Sequence, residues 1–180
     1  MHPRRRALLW LNAVGGSAVL ASYAVGLGSS PELGSALWGG VPESARPLYS
    51  VNMLLAAAGY FLFTPYILFR LPPDTTRIGG RPAFGIFQAS YALILFPSAL
   101  WLPLTAAVLA QPSALLWALV RLDLALVALG SLGLLASLLA LPAVAPRGRM
   151  LAVLGLLPFC LQTVVLDALV WPAFFALPNP

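Results

Sequence analysis

Five stretches of nearly unbroken apolar residues, at about 7–27, 48–69, 84–110, 113–141 and 150–176, alternate with short segments rich in Pro, Gly and Arg. A helix needs roughly 20 residues to cross a bilayer, so the pattern predicts five transmembrane helices. The breaks are chemically clear. Pro72-Pro73, Gly79-Gly80 and Pro146-Arg147-Gly148 cannot continue a span, and Gln111-Pro112-Ser113 is so short a link that the third and fourth helices must be antiparallel neighbours. Ser30-Pro31-Glu32 has the order of an N-cap, a first-turn proline and an acidic residue, which predicts a short surface helix ending at Gly39-Gly40. Proline also falls inside spans, at Pro65, Pro97, Pro103 and Pro158, where it predicts kinks.

Composition agrees with this pattern. Of 180 residues 61% are apolar and 8% charged, a balance that no water-soluble domain of this size carries. The expected fold is therefore all-α: a polytopic membrane protein, one domain over 1–180, built as a bundle of five transmembrane helices. Met1-His2-Pro3-Arg4-Arg5-Arg6 and the apolar run behind it imitate a signal peptide, but that run is longer than a usual signal core and reads as the first span.

The net charge of +5 fixes an expected orientation. Arg4, Arg5, Arg6, Arg70, Arg77, Arg81, Arg147 and Arg149 fall on one side of the five-span arrangement, and only Arg46 on the other. The positive-inside rule then puts the N-terminus inside and the C-terminus outside, with the 28–47 connector outside. A basic excess confined to span ends, with no polar domain to carry it, implies anionic lipids and no nucleic acid. Arg without any Lys, alongside abundant Ala, Leu, Gly and Pro, is the usage of a GC-rich genome and points to a prokaryotic inner (cytoplasmic) membrane.

Counting removes several chemistries. Without Lys there is no Schiff base to retinal or pyridoxal phosphate, and His2, in the N-terminal tail, is the only His, so haem ligation and a Ser-His-Asp triad lack their groups. Cys160 stands alone, which excludes thiol–disulfide exchange and iron–sulfur ligation and suits a small buried hydrophobe. No phosphate-binding loop, nucleophile elbow or zinc-protease motif occurs. No catalytic residue, metal site or cofactor is expected.

Three ionisable residues remain inside the spans: Arg121, Asp123 and Asp167. Each costs roughly 2.5–3.5 kcal/mol on the lenient insertion scale, so such residues are functional-site candidates by default. Antiparallel fourth and fifth helices bring all three to a similar depth in the outer half. Arg121 and Asp123, two positions apart, point about 200° away from each other. The expected pairing is Arg121 with Asp167, Trp117 covering the guanidinium, and Asp123 left to find a polar neighbour, water or a proton. Sharing of Arg121 between both acids is the other assignment.

Polar and small residues form stripes. The second span carries Asn52, Ala56, Gly59, Phe63, Tyr66 and Arg70 at helical spacing; the third, Gln88, Tyr91, Ser98 and Thr105; the first, Asn12, Gly16, Val19, Tyr23 and Gly26; the fifth, Thr163 and Asp167. One reading is interhelical glue, with Trp10, Trp101, Trp117 and Trp171 as an aromatic belt. The other is a pocket opening to the outer side, walled by Asn52, Ser98, Arg121, Asp123, Thr163 and Asp167, with Trp101, Trp117 and Tyr60 as aromatic surfaces and the 30–47 connector as a lid. The expected function is binding or passage of a small apolar molecule or lipid. The alternatives are an accessory or assembly subunit, in a homo-oligomer or larger membrane complex, and a lipid-modifying enzyme using Asp123 and Asp167 for proton transfer.

Overall fold

The computed structural model describes residues 1–29, 31–141 and 146–175 and is 83% helical. Five helices are long and apolar enough to cross a membrane, Pro3–Gly28, Arg46–Arg70, Ala83–Ala110, Ala114–Ala140 and Arg147–Phe174. They lie within a few residues of the stretches expected from hydropathy.

Helix α1 covers Pro3–Ser29 and is followed by a short α2, Pro31–Ala36. That helix stops before Gly39-Gly40: residues 37–40 are turns, and Gly39 takes a φ of 52° that a side chain would disfavour. The expected Ser30 cap lies outside the described residues. Helix α3, Arg46–Pro65, runs into a π turn, Tyr66–Arg70, and a two-residue hairpin, β1 (Arg77–Ile78) with β2 (Arg81–Pro82), leads to α4, Ala83–Ala110. Helix α5, Ala114–Ala140, starts at Ser113, whose hydroxyl accepts the Leu116 N–H at 3.1 Å as an N-cap. Helix α6, Pro146–Cys160, continues as a ten-residue π segment, Leu161–Val170, and ends in α7, Trp171–Phe174. The backbone ladder changes type next to Pro65 and shortly after Pro158, whereas Pro97 and Pro103 sit inside an uninterrupted α4.

Side-chain size decides which helices meet. Gly15 of α1 lies against Leu95 of α4, and Gly130 of α5 against Ser90 and Ile94 of α4. Helices α3 and α6 cross at Gly59 and Gly155, so closely that a Cβ on Gly59 would stand 1.9 Å from the Gly155 carbonyl oxygen. The packed order around the bundle is α1, α4, α5, α6, α3. No packed seam closes the ring between α3 and α1; the two are tied by the Tyr60 hydroxyl, which donates to Asn12. Large apolar residues face outward, including Leu20 at 74% and Phe61 at 75% exposure, as lipid contact requires.

The eight Arg residues of the expected inner side gather at one end, here the basic end. Arg5 donates to the Leu71 carbonyl at 3.1 Å, His2 lies 2.9 Å from Asp74, Gln88 donates to the Arg4 carbonyl at 3.2 Å, and Arg149 donates to the Leu141 carbonyl. Arg46 is at the opposite, connector end, 5.8 Å above the Trp38 ring and 3.8 Å from Glu43.

Candidate functional site

A single proline sets up the chemistry of the fifth span. Pro158 has no N–H to give, and from Leu161 to Val170 the helix bonds in the wider i→i−5 pattern of a π-helix. In an α-helix Gln162 and Asp167 would point about 140° apart. The wider winding brings them together: Gln162 Nε2 donates to Asp167 Oδ1 at 2.7 Å. Asn52 of α3 completes the chain, its Nδ2 donating to Gln162 Oε1 at 3.0 Å and to the Pro158 carbonyl at 3.1 Å. The three side chains form a relay whose donors all run toward the carboxylate. Beside it, Thr163 donates to Ser131 Oγ at 2.8 Å, and Ser131 donates on to the Val127 carbonyl at 2.8 Å.

The relay borders a cavity of about 490 Å³ in the gap between α1 and α3, in the half of the bundle nearer the connector. Val19, Tyr23 and Leu27 of α1 form one wall, and Tyr49, Met53, Ala56 and Ala57 of α3 the facing one. Ser98 and Trp101 of α4 and Leu124 and Val127 of α5 form the back, with Gln162, Thr163 and Asp167 beside them. Phe159 lies at the bottom, stacked edge-on against Phe63 at 5.4 Å in a cluster that includes Tyr60 and Tyr91. Leu37 and Trp38 cover the top.

That cover is fastened. Trp171 Nε1 donates to the Leu37 carbonyl at 2.8 Å, and the Gly40 N–H donates to the Phe174 carbonyl at 2.8 Å. The connector therefore closes on the end of the fifth span through one indole and one backbone donor, and Gly40 is needed for the second, since a Cβ there would stand 2.6 Å from the Phe174 carbonyl oxygen.

Aromatic rings line the same space. Tyr23 stacks on Trp101 at 6.0 Å, Trp38 meets Tyr49 edge-on at 5.9 Å, and Trp101 meets Trp171 at 5.8 Å. Both Tyr23 and Tyr49 lie within electrostatic range of Asp167, and the Tyr49 hydroxyl donates to the Leu166 carbonyl at 3.2 Å.

Of the residues expected from sequence, Ser98, Thr163, Asp167 and Trp101 line this cavity, and Asn52 stands behind Gln162. Tyr60 lies below it, turned to Asn12. Trp117 does not cover a guanidinium: it stacks on Phe175 at 5.4 Å and supports Trp171 from behind. Trp101, Trp117 and Trp171 thus face each other inside the bundle, and of the expected belt Trp10, 61% exposed, is the member that faces outward.

The expected ion pair between Arg121 and Asp167 is absent, as is a shared one with Asp123: Arg121 is exposed on the outside of α5, and Asp167 is held by Gln162. Equal depth brings residues to one level but not to one face. A long Arg side chain also lowers its desolvation cost by reaching along the helix toward the α5 N-terminus. Asp123 is buried, with Oδ2 unpartnered, and shares the α4-facing side of α5 with Gly130, seven residues on. Neither Arg121 nor Asp123 is part of the cavity lining. The two carboxylates therefore do not form a pair.

Gln162, Tyr49, Tyr23 and Trp38 are site residues that the sequence did not single out as such. For Gln162 the signal, a lone amide in a span, was present, but a 3.6-residue wheel places it off the Asp167 face. Among the described residues no three His, Cys, Asp or Glu side chains come together as metal ligands. A second hollow of about 430 Å³, on the outer surface of α1 and α4, has Ser22 as its one hydroxyl and no ionisable group. No known protein family, curated protein or solved structure matches the chain.

Proposed function

We propose that the protein is an integral membrane protein, N-terminus inside, that binds a small, mostly apolar molecule or lipid in the cavity between α1 and α3. The observation that carries this reading is the cavity itself: about 490 Å³, walled by apolar and aromatic side chains, with one small polar group of Asn52, Gln162, Thr163 and Asp167 at its side. Its volume falls within the roughly 300–1,000 Å³ of ligand pockets, and a few convergent polar groups on an apolar wall give orientation to a bound molecule. A long π segment at the same place supports it, because π turns persist where function offsets their weaker geometry. With eight Arg at the basic end, the connector end faces outward and the cavity lies in the outer half.

The test is native mass spectrometry of protein released from lipid nanodiscs, comparing wild type with Ala57→Trp, which fills the cavity from an exposed wall position. Wild type is expected to carry a small-molecule or lipid adduct that Ala57→Trp loses while keeping its melting temperature. Equal adducts on both proteins, or none on wild type, would sink the reading.

One observation favours a second reading, an assembly subunit: Arg121 is exposed within α5 between the exposed Ala118 and Ala125, where a partner helix bearing an acid would neutralise it. A copurifying membrane protein that is lost on Arg121→Ala supports that role; a monodisperse wild-type monomer counts against it.

A further inference from the structure

We infer that the cavity is a site for a lipophilic organic ammonium, with Asp167 as its counter-ion and the surrounding rings as its cation–π box; this rests on the cavity being a ligand site. Its chemistry is one-sided. Asp167 borders the cavity, and none of the chain's basic side chains pairs with it among the described residues. The Gln162 amide serves one carboxylate oxygen and leaves the formal charge uncompensated. Such a charge in a span is strongly disfavoured unless a cation or a proton joins it.

The walls complement a cation with apolar substituents. Tyr23, Trp38, Tyr49, Trp101 and Trp171 border the same space as the carboxylate, and rings around an acid are the chemistry that recognises alkylated ammonium groups. The Trp38 ring is engaged by the Arg46 guanidinium at 5.8 Å at the rim, so the box for a bound cation is formed by Tyr23, Tyr49, Trp101 and Trp171 beside Asp167. An anion is disfavoured by the same arithmetic. The positive groups that would receive it are elsewhere: Arg121 is on the outside of α5, and Arg46 is engaged by Glu43 and the Val41 carbonyl at the rim.

The experiment is a tryptophan-fluorescence titration in dodecylmaltoside with benzyltrimethylammonium and its uncharged carbon isostere, neopentylbenzene. Wild type is expected to bind the cation at least tenfold more tightly than the isostere. Asp167→Asn is expected to lose that preference while still binding the isostere, and Asp167→Glu to retain it. Equal affinity of wild type for both probes overturns the ammonium assignment and leaves the apolar pocket standing. If neither probe binds, the pocket reading falls and this inference with it. The wild-type comparison decides even if Asp167→Asn does not fold. Repeating the titration in phosphatidylglycerol nanodiscs, with and without phosphatidylethanolamine, separates the two sources of the ammonium: competition by phosphatidylethanolamine assigns it to a lipid headgroup, and undiminished binding assigns it to a free amine.

Discussion

Asp123 and Asp167 are both acids in apolar helices, yet the structure gives them opposite surroundings. Asp167 has an amide donor and a cavity; Asp123 is buried with an unpartnered oxygen between α5 and α4. A buried polar group without a partner costs about 1–3 kcal/mol, so Asp123→Leu is expected to stabilise the protein by that order, read as a rise in Tm in detergent. A fall in Tm would show that Asp123 has a partner worth keeping. Gln162→Leu has the reverse sign: it strips the Asn52 donor and the Asp167 acceptor of their common partner and should destabilise by about 1–3 kcal/mol in the same measurement. At this scale the sequence revealed the polar stripes, because Asn52 recurs with Ala56 and Gly59 at helical spacing on the second span and Thr163 lies one turn from Asp167 on the fifth. It concealed Gln162, because its meeting with Asp167 depends on a winding that hydropathy does not encode. It also misassigned Arg121, because depth along antiparallel helices was legible and rotation about them was not.

Helices were the most legible element, since length and apolarity alone set their limits. Their contacts were less so. Only α4 and α5 could be joined from the brevity of the Gln111-Pro112-Ser113 link, while the crossing of α3 with α6 depends on Gly59 and Gly155, far apart in sequence. Gly59→Ala forces a methyl group into a backbone carbonyl that has no rotamer to change. We expect a loss at or above the upper end of the roughly 1–3 kcal/mol typical of overpacking, measured as a lower Tm. An exposed small-residue change such as Ala125→Leu, on the outer face of α5, provides the comparison and should leave Tm within about 0.5 kcal/mol equivalent. Equal effects of the two substitutions would show that the α3–α6 crossing is not tight.

For the molecule as a whole, the membrane class followed from composition, and the proposed orientation rests on where the Arg residues gather. Membrane-impermeant maleimide applied to intact cells tests it. Glu43→Cys, replacing a side chain 88% exposed at the connector end, is expected to label from outside, and Asp74→Cys, replacing one 71% exposed at the basic end, only after permeabilisation. The buried Cys160 should stay silent in both. The reverse labelling would invert the topology and put the cavity in the inner half. The open side of the ring also sets the terms on which a ligand is counted. Only 11% of the apolar window of α1 is buried, so the gap between α1 and α3 would open to hydrocarbon, and for the proposed ligand the bilayer would be the reservoir from which the site fills. Occupancy then follows the mole fraction of ligand in the lipid instead of its concentration in water. At fixed protein and fixed, subsaturating total ligand, doubling the lipid of a nanodisc preparation should roughly halve the bound fraction of a strongly partitioning ligand.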